Sequence, residues 1–165
     1  MHQTPARRPL RTLAVVLTLA AVPVVAGATG ALAQPSTTKD GITRTALAET
    51  SPGNAPGQEL YLQEVRIAPG AKLAVHLHEG TQVASVRSGV LTYNIVSGTA
   101  TVTRADGTVA ELTGPKTIRL RPRDVITETA TVVHYGANAT KKPVVILVAA
   151  LLVQGAPLAT PVSTP

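Results

Sequence analysis

The chain has 165 residues, 44% of them hydrophobic, a formal net charge of +6 and no cysteine, tryptophan or phenylalanine. That length suits one domain with a sizeable core and is short for two. Without cysteine, stability must come from the apolar core or from a bound ion, and a core of Val, Ile, Leu, Ala and Thr favours strands over helices.

Residues 1–33 are set aside before any fold argument. A basic start (Arg7, Arg8, Arg11), an apolar run from Leu13 to Ala28 and the small residues before Gln34 read as a cleavable secretory signal peptide, and the localisation expected is extracellular or periplasmic. Arg7 and Arg8 followed by Pro9 and Leu10 resemble a twin-arginine export signal. The run is broken by Pro23 and Gly27 and falls short of the ~20 apolar residues of a spanning helix. No membrane association is therefore expected after cleavage. Three of the fifteen basic residues leave with the signal, so twelve remain against nine acidic ones, a formal +3. The longest basic block is then Lys141–Lys142, which gives little support to a nucleic-acid partner.

Residues 34–57 are rich in Ser, Thr, Pro, Gly and Asn, with one apolar stretch from Ile42 to Leu47; they read as an arm carrying an edge strand, through which a homodimer could pair. A barrel is expected over 58–153. Short alternating runs recur there: Leu60–Ile67, Lys72–His78, Thr81–Arg87, Val90–Val96, Thr99–Ala105, Thr108–Thr113, Lys116–Leu120, Val125–Thr129, Val132–Tyr135 and Val144–Val153. Turn residues separate them, and Asp106–Gly107 between Thr- and Val-containing runs suits a type I′ hairpin turn. The last run, VVILVAALLV, suits a fully buried strand and is too short to cross a bilayer. Residues 154–165 form a proline-rich tail, disordered or extended. So many strands without an amphipathic helix make an all-β sandwich or barrel.

His76 and His78 are two apart. On a strand they project from one face with Leu77 opposite, a two-point chelate of the kind that imidazole offers to Mn, Fe, Ni, Cu or Zn. His134 lies on a distant strand, and the remaining histidine, His2, is in the signal.

These residues resemble the cupin family, whose first motif is G-x5-H-x-H-x3,4-E-x6-G. The chain supplies Gly70, His76, His78, Gln82 in place of Glu, and Gly89. The second motif, G-x5-P-x-G-x2-H-x3-N, is met at His134 and Asn138, with Arg123, Thr129 and Thr131 at its Gly, Pro and Gly positions. The resemblance spans about residues 42–153. It implies a double-stranded β-helix barrel of jelly-roll type with a divalent transition metal (Fe, Mn, Zn, Ni or Cu) inside, held by His76, His78 and His134, with Gln82 at the fourth position.

Gln82 is the informative departure. A glutamine offers a neutral carbonyl oxygen where a glutamate gives an anion, so the ion would keep more of its charge and favour anionic ligands. Glu79 follows His78 and points to the other face if the strand continues. Tyr93 shares a face with Leu91 and Ile95, which the resemblance makes the interior; it either fills the core or donates to a bound substrate. Arg119, Arg121 and Arg123 alternate and read as a solvated strand face. Asn138 reads as a turn former. The resemblance implies oxygen-dependent oxidation, as oxidase or dioxygenase, or isomerisation of a small organic molecule. A non-catalytic module binding a small ligand or metal stays open beside it, as does a relative whose motif positions are only structural, and no catalytic residue is named.

Overall fold

The structure is a computed structural model, and it describes residues 36–37 and 40–163. The expected signal peptide at 1–33 lies outside the described residues. The strands in chain order are β1 (Ser36–Thr37), β2 (Ile42–Thr50), β3 (Gln58–Ile67), β4 (His76–Leu77), β5 (Gly80–Ser88), β6 (Leu91–Ser97), β7 (Thr99–Thr103), β8 (Val109–Thr113), β9 (Lys116–Leu120), β10 (Val125–Glu128), β11 (Val133–Ala137), β12 (Val144–Val153) and β13 (Thr160–Pro161). They form an eight-stranded sheet in the order β1-β2-β3-β12-β5-β10-β7-β8 and a five-stranded sheet in the order β13-β4-β11-β6-β9. All pairings are antiparallel. This is the all-β jelly-roll expected from the strand pattern and the resemblance.

Alternation sets which side chains go inside. On β6, Leu91, Tyr93 and Ile95 are buried, as expected, and on β12 the buried set is Val144, Ile146, Val148, Ala150 and Leu152. All of these but Ala150 and Leu152 share one core cluster with Ile67, Val86, Val102 and Ile126 from the larger sheet and Leu120 from the smaller one. The VVILVAALLV run is not buried on both faces. It lies at the centre of the larger sheet between β3 and β5, and its outward residues Ala149 and Val153 are exposed, because no layer among the described residues covers them. The stretch before residue 58 contributes to the barrel directly: β2 pairs with β3 from Ile42 to Thr50 and buries Ile42 in the core.

Three local expectations are corrected. The Asp106–Gly107 turn is not type I′, because only Gly107 has positive φ (89°). Gly107 N–H donates to the Arg104 carbonyl and Arg104 N–H to that of Thr108, giving a three-residue loop in which Asp106 Oδ1 accepts from Thr108 N–H at 2.9 Å and the glycine takes the left-handed position. Lys72–His78 is not a continuous strand. Only His76–Leu77 is ladder-paired, with a single bridge at Lys72, since Leu73 and Val75 are bonded irregularly to Gly136 and Val162. The arginines do not share one strand face either: β9 ends at Leu120, and Arg121 and Arg123 lie in the following turn, where Arg123 has φ of 75°.

That last angle explains one departure from the second motif. Arg123 occupies the position where the motif has glycine, and the backbone still adopts the left-handed conformation that glycine accepts without strain. Its N–H is held by the Val86 carbonyl. Next to it, Asp124 is buried and accepts from Arg121 N–H, Ala105 N–H and the Arg104 guanidinium at 2.9 to 3.0 Å. Burial raises its carboxyl, but these donors outweigh burial and hold it below the usual range. The first-motif Gly89 has the same backbone need (φ 78°), and a Cβ there would lie 2.6 Å from the Pro143 carbonyl oxygen.

Candidate metal centre

The smaller sheet brings the histidines together. His134 on β11 is the register partner of His76 on β4, which places their rings side by side with centroids 4.3 Å apart. His78 follows β4 and its ring lies 5.0 Å from that of His76 and 5.2 Å from that of His134. All three are buried, and one ligand atom from each falls within 4.8 Å of the others. Glu79 is exposed and accepts from the Thr160 hydroxyl, so it faces away.

Each ring is held from behind by a carbonyl. His76 Nδ1 contacts Ala74 O at 2.7 Å, His78 Nδ1 contacts Leu158 O at 2.7 Å, and His134 Nδ1 contacts Val132 O at 3.3 Å. A carbonyl only accepts, so each Nδ1 carries the proton and each Nε2 presents its lone pair to the centre. Burial lowers all three imidazoles from the ordinary 6.5 to about 4. At neutral pH they are uncharged, as ligands must be. His78 Nε2 is buried with no hydrogen-bond partner, an expensive state for a polar atom unless something else occupies its lone pair. Three such nitrogens fit a divalent transition ion.

The carbonyl on His78 comes from the tail, which is extended. β13 pairs with β4 at Leu77 and His76, and Val162 N–H donates to the Val75 carbonyl at 3.0 Å. The last described residues thus lock the histidine-bearing segment in place.

Across the barrel stands a residue that sequence reasoning missed. Glu128, at the end of β10, is 1% exposed. Its Oε1 accepts from the Tyr93 hydroxyl at 2.6 Å and lies 3.1 Å from His134 Nε2; its Oε2 accepts from the Gln82 amide at 2.8 Å and lies 3.5 Å from His78 Nε2. Burial pushes its carboxyl up, opposed by His78 and by the donors Tyr93 and Gln82. Burial and the adjacent Glu128 push the Tyr93 phenol far up, so it remains a donor. The signal was available: alternation along Val125–Glu128 puts Glu128 on the inward face with Ile126.

Of the residues named from sequence, the structure therefore gathers His76, His78, His134, Gln82 and Tyr93 around one point. Gln82 reaches it through its amide nitrogen, engaged by Glu128. Tyr93 stacks on His134 with centroids 5.3 Å apart, and its hydroxyl is likewise taken by Glu128. Asn138, 1% exposed, donates to the Ile67 and Lys142 carbonyls and organises the turn after β11, away from the centre.

The five residues border a cavity of about 60 Å³, which Arg44 from β2 also lines. At ~10–15 Å³ per water this holds about four to six water-sized groups. Arg44 acts on His76 electrostatically, and it has no carboxylate partner among the described residues.

A family model described as a cupin domain matches residues 63–150. No match is found among the curated proteins. Among solved structures, an oxalate oxidase in complex with the substrate analogue glycolate is similar at 20% identity and a TM-score of 0.51, over 72% of this chain and 54% of that one. A point mutant of Bacillus subtilis oxalate decarboxylase is similar at 20% identity and a TM-score of 0.50, over 74% of this chain and 29% of that one. KdgF from Halomonas sp. is similar at 19% identity and a TM-score of 0.49, over 71% and 84%. This chain thus spans about half of the oxidase and less than a third of the decarboxylase. The family match covers more than half of the sequence and agrees with the jelly-roll architecture: the chain belongs to the cupin family.

Proposed function

We propose that this protein is an exported metalloprotein that holds one divalent transition metal through His76, His78 and His134 and acts on a small organic anion in the adjoining cavity. The observation that carries the reading is the convergence of three neutral, buried imidazoles from separate segments, each with Nε2 turned to one centre. When bound, the ion supplies Lewis acidity and, for Fe, Mn or Cu, one-electron chemistry. The reaction class that suits an open three-histidine site in this family is oxygen-dependent oxidation or isomerisation. The oxalate oxidase and decarboxylase among the fold neighbours are proteins of small carboxylates by their names.

The chain's own residues define the rest. Arg44 places a guanidinium at the cavity wall, where it pairs with a carboxylate. Val65, Leu73 and Ile146 exclude water from the other walls, which strengthens that pairing. Tyr93 closes the floor by stacking on His134 and keeps its proton. The inner part of the cavity has room for a few heavy atoms.

Elemental analysis of the purified protein after growth with Fe, Mn, Zn, Ni and Cu tests the metal: about one ion per chain is expected, falling to trace in His134→Ala. Trace metal in the unaltered protein overturns the reading. Oxygen uptake with two- to four-carbon carboxylates, dependent on that metal, separates enzyme from binding module. N-terminal sequencing of protein recovered from the medium or periplasm tests export, with Gln34 expected as the first residue.

A further inference from the structure

We propose that Glu128 is the carboxylate ligand of this metal site, supplied from β10 where the first motif would supply it from β5. The proposal rests on the metal reading above and deepens it.

Gln82 and Glu128 are direct register partners across the β5–β10 pair, and both turn inward. A carboxylate lost at one is therefore present on the neighbouring strand at the same height in the barrel. The Gln82 amide nitrogen donates to Glu128 Oε2 at 2.8 Å, and Tyr93 donates to Oε1 at 2.6 Å. A donating nitrogen cannot ligate a cation, so these contacts make Gln82 a clamp on the carboxylate.

The distances point the same way. Two ligands about 2.1 Å from one ion, at angles between 90° and tetrahedral, stand about 3.0 to 3.4 Å apart. Glu128 Oε1 to His134 Nε2 is 3.1 Å, and Oε2 to His78 Nε2 is 3.5 Å. With Nδ1 of each ring bonded to a carbonyl, an ionised Glu128 meets these nitrogens lone pair to lone pair, and a positive centre between them removes the repulsion. The orphaned His78 Nε2 has the same need. Glu128 is also fully buried with only neutral donors about it, whereas a buried carboxylate calls for a cation. One divalent ion answers all three.

The test uses the full chain and Co(II), whose visible absorption reports its ligands. Loss of a residue that only orients a ligand lowers metal affinity roughly 10- to 100-fold; Glu128→Gln is expected to lower it beyond about 100-fold and to change the visible spectrum. The metal-free variant should melt no lower than the parent, since a neutral isostere replaces a buried acid. Moving the carboxylate, in Glu128→Gln/Gln82→Glu, is expected to restore affinity to within about tenfold. Unchanged affinity and spectrum in Glu128→Gln, with binding still abolished by His134→Ala, overturn the Glu128 assignment alone. Absence of Co(II) binding in the parent overturns this assignment together with the metal reading.

Discussion

Glu128 and Gln82 face each other across two neighbouring strands and are joined by a 2.8 Å hydrogen bond inside the barrel. With Tyr93 they form a buried polar layer opposite the three histidines. Removing one donor leaves an acidic oxygen short of a partner, and an unsatisfied buried group costs ~1–3 kcal/mol. Tyr93→Phe is therefore expected to lower the unfolding free energy in urea by about 2 kcal/mol with an unchanged slope. A loss below about 0.5 kcal/mol would mean that the hydroxyl is dispensable to Glu128.

The histidines make stability fall in mild acid. Each imidazole is lowered to about 4 in the folded protein, while in the unfolded chain it titrates near 6.5. Between those values the unfolded state binds more protons, so stability is present above about 6.5 and is lost as pH falls towards 4. The groups facing the trio are Glu128, Tyr93 and Arg44. Glu128, pushed up by burial, works in the opposite direction above its unfolded value and offsets part of the effect. Asp124, held low by its donors, acts only below about pH 4. Urea titrations of the metal-free protein should show a decline of a few kcal/mol, roughly, between pH 6.5 and 4.5. A flat profile in that window contradicts the assignment of buried, neutral rings.

Arg123 carries backbone strain that its side chain does not repay with any contact at the site. Left-handed backbone costs a non-glycine residue ~1–2 kcal/mol, and glycine's greater freedom when unfolded returns ~0.5–1 of that. Arg123→Gly should stabilise the fold by about 0.5–1 kcal/mol, read as a higher urea midpoint. A lower midpoint would show that the φ of 75° is not strained here.

The tail orients a ligand from outside the ring. Deleting residues 156–165 removes the Leu158 carbonyl behind His78 Nδ1 and the β13 pairing. Loss of such a partner typically costs 10- to 100-fold in metal affinity, so about that decrease is expected by competition with a chelator. Equal affinity in the shortened chain would mean that His78 needs no support from the tail.

Arg44 should matter for charge and not for shape. Arg44→Met is expected to weaken binding of a small carboxylate such as glycolate about tenfold or more, as hydrogen bonds to charged groups contribute ~1.5–3 kcal/mol. The neutral amide of the same acid should bind both proteins equally. Calorimetry that finds glycolate unaffected removes Arg44 from the ligand's surroundings.

Much of this was legible in the sequence because strand alternation and turn residues are local. β9 and β12 coincide with the apolar runs that announced them, and His76, His78 and His134 stood out in a chain with so few histidines. What escaped depends on neighbours. Glu128 sits at an unspecified position inside the degraded second motif, just before Thr129, and only the pairing of β10 with β5 brings it to Gln82. The tail's composition shows extension but not the partner strand. Arg123 hid a motif glycine's backbone behind a charged side chain, which alternation alone assigned to a strand face.

X-ray absorption at the edge of the bound metal tests the central claim most directly. The account predicts three imidazole nitrogens at about 2.0–2.1 Å, with their outer-ring scattering, and two in His134→Ala. A metal environment with one imidazole or none, unchanged by His134→Ala, would show that the three rings do not share an ion.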